Sequence, residues 1–412
     1  MSKVTTDKEK IAELLDRGVE KIYPNREMLE AKLLRGEKIR LYGGFDPSAP
    51  SLHIGNAILI NKLAQFQKMG HEVIFLIGDF TGMIGDPTDK TATRKKLTRE
   101  EVLDNCHSYQ KQAAAFLDFE GENAAQVKYN SEWLDKLTFR DLIEVSSHFT
   151  VQQMIQRDMF QKRIEEEKPI HLHEFLYPLA QGYDSVVMDV DLEIGGNDQM
   201  FNMMAGRDLM KSMGKKEKFV ITLKLLADDK GKKMGKSEGN AVFLDTDANN
   251  VYGVIMSWPD GIVPVAFELC TNIDIKEVDE IANDMRGTEV NPRDYKMKLA
   301  HELTRIIHGA EAADQAQEHF IKTVQKKEIP DEIKHYVLKV DTMNIKSKFN
   351  VVNLLHETSL VASKSDARRM IEQGAVKVDG EVINDVDKEV EIGDEGVLLQ
   401  KGKRGFVRVI KK

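Results

Sequence analysis

Cysteine is nearly absent: Cys106 and Cys270 are the only two in 412 residues, far apart and in no CxxC or metal-ligand spacing. A disulfide framework and a cysteine-built metal site are thereby excluded. Long hydrophobic runs are missing too. The N-terminus, MSKVTTDKEKIAELLDRG, has no apolar signal-peptide core, and no stretch nears the length of a membrane span. Positive charge is in deficit, the net being −9, which taken alone argues against a nucleic-acid partner. Residues 344–412 depart from this, with 13 Lys and Arg against 11 Asp and Glu. A basic tail on an acidic body still docks RNA, because the local field decides. No internal repeat or low-complexity tract occurs. What remains is 41% hydrophobic and 31% charged, the balance of a soluble globular protein too long for one core. A reducing, cytoplasmic setting is expected.

The first half alternates strands and helices. KIRLYGGF (38–45) reads as a strand that runs into a loop, and a helix follows with Leu59, Leu63 and Phe66 at helical spacing and Gly70 as its stop. EVIFLIGDF (72–80) is a near-continuous apolar strand, as in a parallel sheet covered on both faces. Such a βαβ unit places ligands at the carboxyl ends of its strands. After about residue 248 the pattern turns helical, and a Lys-rich segment near 325–348 reads as a linker. In the last sixty residues SKSDARRMIEQG is a helix between Ser and Gly, and AVKVDGEVI a hairpin with a type I′ Asp-Gly turn.

Two glycine-bearing segments carry the chemistry. YGGFDPSAPSLHIGN (42–56) ends at a helix N-terminus, where unpaired N–H groups attract anions. Gly43, Gly44 and Gly55 let a large ligand approach, while His53 and Asn56 face it as donors. A tight turn with a capping His is the alternative. DDKGKKMGKSEGN (228–240) is no Walker A loop, because Gly231 precedes Gly235 by four residues and not five. It suits closure over polyphosphate through Lys230, Lys232, Lys233 and Lys236, or is a solvated lysine loop. Two lesser patterns take plain readings: HLHE (171–174) lacks a third metal ligand, and Thr98 to Glu101 is a capping box.

Together GFDPSAPSLHIGN and KMGKS resemble the His-Ile-Gly-His and Lys-Met-Ser-Lys-Ser signatures of class I aminoacyl-tRNA synthetases. TGMIGDPTDKTATR (81–94), YPLAQGYD (177–184) and EIGGNDQ (193–199) resemble bacterial tyrosyl-tRNA synthetases over nearly the whole chain. Asn56 stands where the family more often has His, and Gly235 where it usually has Ser. The resemblance implies an α/β fold: a Rossmann-like parallel-sheet catalytic domain (1–248), an α-helical anticodon-recognition domain (249–326), a linker (327–348) and a small α+β RNA-binding domain (349–412).

It also implies site roles. Tyr42 and Asp184 would meet the phenolic hydroxyl of tyrosine, and Asp86, Tyr177 and Gln181 its ammonium, with Gln199 beside them. A tyrosine hydroxyl needs both donor and acceptor, which Tyr42 and ionised Asp184 supply. Core aromatics and a capping Asp are the plainer account of Tyr177, Tyr183 and Asp184 taken singly. His53 and Ser48 would donate to the ATP phosphates. Lys90, Arg94, Lys233 and Lys236 would stabilise transition-state charge. Asp46, Gly196 and Asp198 would hold the nucleotide and its ribose, near Gly55 and Ser237. Mg²⁺ would accompany ATP, with no carboxylate cluster for a dedicated metal site.

Lys364, Arg368 and Arg369 would contact tRNA(Tyr) phosphates, although an ordinary solvated helix face fits them as well. A homodimer is implied, with VSSHFTVQQMIQRDMF (145–160) the place to seek its interface; an apolar stripe is more often core. A tryptophanyl-tRNA synthetase and a non-catalytic RNA-binding relative are the rival readings.

Overall fold

The computed structural model describes residues 4–86, 97–227, 241–287, 290–325, 334–338, 348–393, 396–402 and 405–411. The chain divides into two compact units, Met1–Ala310 and Glu311–Lys412.

The first unit is built on six strands: β1 (Val19–Tyr23), β2 (Arg40–Phe45), β3 (Glu72–Ile77), β4 (Gln126–Tyr129), β5 (Leu192–Gly196) and β6 (Phe219–Leu223). Their order is β1-β6-β5-β2-β3-β4, parallel throughout except for β1, which runs antiparallel to β6. The chain winds outward from β2 to β3 and β4, then returns to lay β5 on the other side. That reversal makes β2/β5 the topological switch point, where ligands enter such sheets. β2 and β5 pair only at Leu41↔Leu192 and Tyr42↔Glu193, and beyond that register they part.

The βαβ unit forms as expected. β3 is apolar because both faces are covered, with five of its six residues buried. It stops at Ile77 rather than at residue 80, since the next residues leave the sheet for other partners. Asp79 accepts from Ser131 N (2.9 Å) and Ser131 Oγ (2.6 Å), and Phe80 N–H donates to Asn130 Oδ1 (2.9 Å). The helix Ile54–Lys68 carries Leu63 and Phe66 into the core, and Gly70 comes after it at φ +92°, a left-handed position that suits glycine. Thr98 and Glu101 form a reciprocal capping box at the helix Arg99–Cys106.

Helices Ala248–Met256, Val263–Cys270, Ile275–Asp284 and Pro292–His308 complete this unit. Buried Arg17 ties the sheet domain to them. Its guanidinium donates to the carbonyls of Phe267, Glu268, Thr271 and Ile273, groups at and beyond the end of Val263–Cys270 that have no partner within that helix. No single described helix is long and apolar enough to cross a membrane.

In the second unit a five-stranded sheet runs β10 (Glu381–Ile383), β9 (Val376–Val378), β12 (Val397–Lys401), β13 (Gly405–Lys411), β7 (Lys334–Leu338). A separate ribbon joins β8 (Lys348–Asn350) to β11 (Glu389–Glu391). Val351, Leu355, Ala367, Ile371, Val376 and Leu399 are among its core. The β9/β10 turn has Asp379 at φ +46° and Gly380 at φ +88°, the type I′ signature. Helix Lys364–Glu372 is capped by Ser363, which accepts from Asp366 N–H. The stretch 327–348 is not only a linker: KHYVL lies parallel to β13, from Lys334↔Val407 to Leu338↔Lys411, and buries Leu338. The Lys-rich flanks mask that short apolar strand in the sequence.

Candidate active site

A cleft of about 1620 Å³ opens where β2 and β5 part. That is more than one small molecule needs, and it suits two substrates held together.

One wall is the loop after β2 and the start of Ile54–Lys68. His53 is the N-cap: its Nδ1 accepts from Gly55 N–H at 3.1 Å, and Asn56 Oδ1 accepts from His53 N–H at 3.0 Å. The capping turn therefore lines the cleft itself. With Nδ1 accepting, the neutral imidazole carries its proton on Nε2, and Asn56 keeps its amide N–H groups as donors. A Cβ at residue 55 would stand 2.9 Å from the His53 ring, so only glycine lets the ring fold back. Ser48, His53, Gly55 and Asn56 all line the cleft. Asp46 lines it too, accepting from Thr81 Oγ1 and Tyr177 Oη, each at 2.7 Å. On the β5 side Gly196, Asp198 and Gln199 form the rim.

The floor is the helix Leu172–Met188, on which Tyr177, Gln181 and Asp184 fall on one stripe at i, i+4 and i+7. Gly182 and Gly206 let it cross the helix Met200–Ser212 closely: a Cβ on Gly182 would lie 3.3 Å from the Gly206 backbone. Gln181 Nε2 donates to Glu193 Oε1 (2.9 Å). Asp184, 2% exposed, accepts from Trp133 Nε1 (2.7 Å) and Asn130 Nδ2 (3.3 Å). Burial pushes its carboxyl well up from the ordinary carboxylate range, and those two donors pull it back. Tyr42 is fully buried and shares a 2.9 Å hydrogen bond with Ser185 Oγ. Burial raises its phenol well above the ordinary value, as do Glu193 and Asp184 nearby. At the rim Gln199 Nε2 donates to Asp86 Oδ2 at 2.6 Å.

The structure thus brings Tyr42, Asp46, Ser48, His53, Gly55, Asn56, Asp86, Tyr177, Gln181, Asp184, Gly196, Asp198 and Gln199 to one cleft. Lys90, Arg94, Lys233, Lys236 and Ser237 lie outside the described residues. Lys364, Arg368 and Arg369 sit in the second unit, exposed on the helix Lys364–Glu372, with Arg369 paired to Asp366. His171, in HLHE, caps the floor helix with Glu174, and among the described residues no group of three His, Cys, Asp or Glu could hold a metal.

Sequence reasoning missed Thr81, Asn130, Trp133, Ser185, Glu193 and Lys218. Thr81 and Asn130 come just after the carboxyl ends of β3 and β4, where a strand-end rule would have found them. Lys218 gave no signal, because KKEKF reads as a solvated charge run.

A family model, "tRNA synthetases class I (W and Y)", matches residues 34–325, and "Tyrosine--tRNA ligase SYY-like C-terminal domain" matches 332–409. The first leaves tryptophan open. The tyrosine–tRNA ligase of Thermotoga maritima is 43% identical over 402 residues, 97% of each chain, and that of Haemophilus ducreyi 43% over 399 residues with the same coverage. The chain belongs to the tyrosine–tRNA ligases. A C-terminally truncated mitochondrial tyrosyl-tRNA synthetase of Coccidioides posadasii superposes at TM-score 0.62 with 26% identity, over 75% of this chain and 91% of that one. The tyrosine–tRNA ligase fold so defined is the parallel sheet and floor helix described above.

Proposed function

We propose that the cleft aligns the tyrosine carboxylate with the α-phosphorus of ATP, forms tyrosyl-adenylate and pyrophosphate, and then passes the tyrosyl group to the 3′-terminal ribose of tRNA(Tyr). The nucleophile comes with the substrate, so the protein's task is alignment and charge neutralisation. Tyr42 and Asp184 hold the phenol hydroxyl, one as donor and one as acceptor. Asp86, Tyr177 and Gln181 hold the ammonium, with Gln199 fixing Asp86. His53 and Ser48 donate to the terminal phosphates, Asn56 supports them, and Asp46, Gly55, Gly196, Asp198 and Ser237 receive the nucleotide. Lys90, Arg94, Lys233 and Lys236 are the cations for the departing pyrophosphate. Mg²⁺ enters as part of the nucleotide substrate.

One observation supports the tyrosine assignment above the others: Tyr42, bonded to Ser185, and Asp184, bonded to Trp133 and Asn130, are both buried and both line the cleft, and each keeps hydrogen-bonding capacity that one ligand hydroxyl can use. The deciding experiment is pyrophosphate exchange into ATP with tyrosine, phenylalanine or tryptophan. Exchange with tyrosine alone is expected, and equal exchange with tryptophan would end the assignment.

The partner readings rest on surfaces. Within 145–160 the apolar Val145, Met154 and Phe160 are buried core and only Val151 among the large apolar side chains is strongly exposed, so the surface that supports a homodimer extends beyond that stretch to exposed Phe139, Ile143, Ile164 and Leu172. The helical segment 249–326 reads the anticodon, and Lys364, Arg368 and Arg369 contact tRNA phosphates. Truncation after residue 348 should remove tRNA charging and spare the exchange reaction. The setting is the cytoplasm.

A further inference from the structure

Lys218 and Glu193 form an ion pair beneath the cleft floor, 1% and 2% exposed. Lys218 Nζ also donates to Ser185 Oγ (2.7 Å) and to the Met203 carbonyl (3.2 Å), so three acceptors use the three protons of an ammonium. Room for it comes from Gly206, where a Cβ would stand 2.6 Å from that nitrogen. A buried ion pair is weak as a source of stability, because desolvation offsets the attraction, so its value lies in what it orients.

The group it orients is Gln181. An amide side chain has a donor end and an acceptor end of nearly equal size, and only its partners decide which way it points. Glu193 Oε1 receives the amide nitrogen of Gln181, and as a carboxylate it cannot receive the oxygen. Gln181 Oε1 accepts nothing from any described residue, and the side chain lines the cleft.

We propose that Glu193, ion-paired with Lys218, is a positioning residue for tyrosine: it fixes the amide of Gln181 so that the carbonyl oxygen faces the substrate ammonium. This rests on the reading that Gln181 meets that ammonium. A neutral glutamine at 193 would accept either end of the amide, and the acceptor would be lost in part of the population.

The test uses the full chain with Glu193→Gln and with Glu193→Gln/Lys218→Met, the second leaving no lone buried charge; either one folded suffices. Tyrosine KM in pyrophosphate exchange should rise about 10- to 100-fold, the equivalent of one charge-assisted hydrogen bond. The kcat and the KM for ATP should stay within about threefold of the parent. Inhibition by 3-(4-hydroxyphenyl)propanoate, which lacks the ammonium, should be unchanged. Equal weakening of both ligands would reduce the pair to scaffolding and overturn the proposal, as would no weakening. Gln181→Ala separates the two layers. If it leaves the tyrosine KM unchanged, the ammonium reading itself fails; if it raises KM while the Glu193 variants do not, only the positioning role fails.

Discussion

Replacing Asp184 by Asn changes one oxygen to nitrogen at the cleft floor and leaves the shape intact. Asp184 now accepts from two donors, Trp133 Nε1–H and Asn130 Nδ2–H, through its two oxygens. An amide has one oxygen, so one donor must face the new NH₂ group and lose its acceptor. A buried unsatisfied group of this kind costs about 1–3 kcal/mol. That cost is borne with or without substrate and lowers stability; what kcat/KM reads is that bound tyrosine exchanges a charged acceptor for a neutral one, about 1.5–2 kcal/mol, or roughly 10- to 30-fold. Phenylalanine has no hydroxyl to lose and should suffer only reorganisation of the floor. A site that hydrogen-bonds a hydroxyl rejects its absence by about 10⁴–10⁵, tyrosine against phenylalanine in this enzyme class being the reference case. The variant's ratio of kcat/KM for the two amino acids should therefore fall at least tenfold in pyrophosphate exchange. A ratio unchanged from the parent, with the variant shown folded by its urea midpoint, would refute the role of Asp184.

Other outcomes are as definite. Burial, aided by Lys38, holds His71 down at about 4, so the unfolded chain binds the extra proton first as the pH falls below about 6.5. Its contribution is intact above that value and is lost on the way to pH 4, about 3 kcal/mol in all. His71→Asn should therefore lose less stability than the parent between pH 7.5 and 5 in urea titrations; parallel curves would contradict this. Gly206→Ala should weaken tyrosine binding and lower the urea midpoint together, because its Cβ would meet Lys218 Nζ at 2.6 Å and Ser185 Oγ at 3.0 Å. His53→Ala should lower kcat about 10²–10³-fold in pyrophosphate exchange with little change in tyrosine affinity, and collapse of that affinity at normal turnover would remove its phosphate role.

Features encoded locally are legible in the sequence. The βαβ unit, the stop at Gly70, the Thr98 box and the Asp379-Gly380 turn each depend on a few adjacent residues whose preferences agree. The end of β3 is not legible in this way, because Gly78 leaves the room that the Asp46 carboxylate occupies and Asp79 accepts from Ser131, distant groups that no window of sequence contains. The β7 strand escapes notice because five residues between lysine-rich flanks carry too little pattern to outweigh them. Within the site, motif spacing brings Tyr177, Gln181 and Asp184 forward, whereas Lys218 and Ser185 acquire their place only through the crossing of two helices at Gly182 and Gly206. That contact is tertiary, and nothing in KKEKF or DSVV announces it.

The floor helix binds this enzyme's history in a particular way. Tyr177, Gln181, Asp184 and Ser185 occupy a single 17-residue helix, Leu172–Met188, and each residue added to an α-helix rotates the remainder of that helix by about 100°. One inserted or deleted position between Gln181 and Asp184 would swing half of the pocket into the sheet. Which amino acid is accepted here can therefore change by exchange of side chains on this helix, whereas a change in the count from Tyr177 to Ser185 takes the pocket apart.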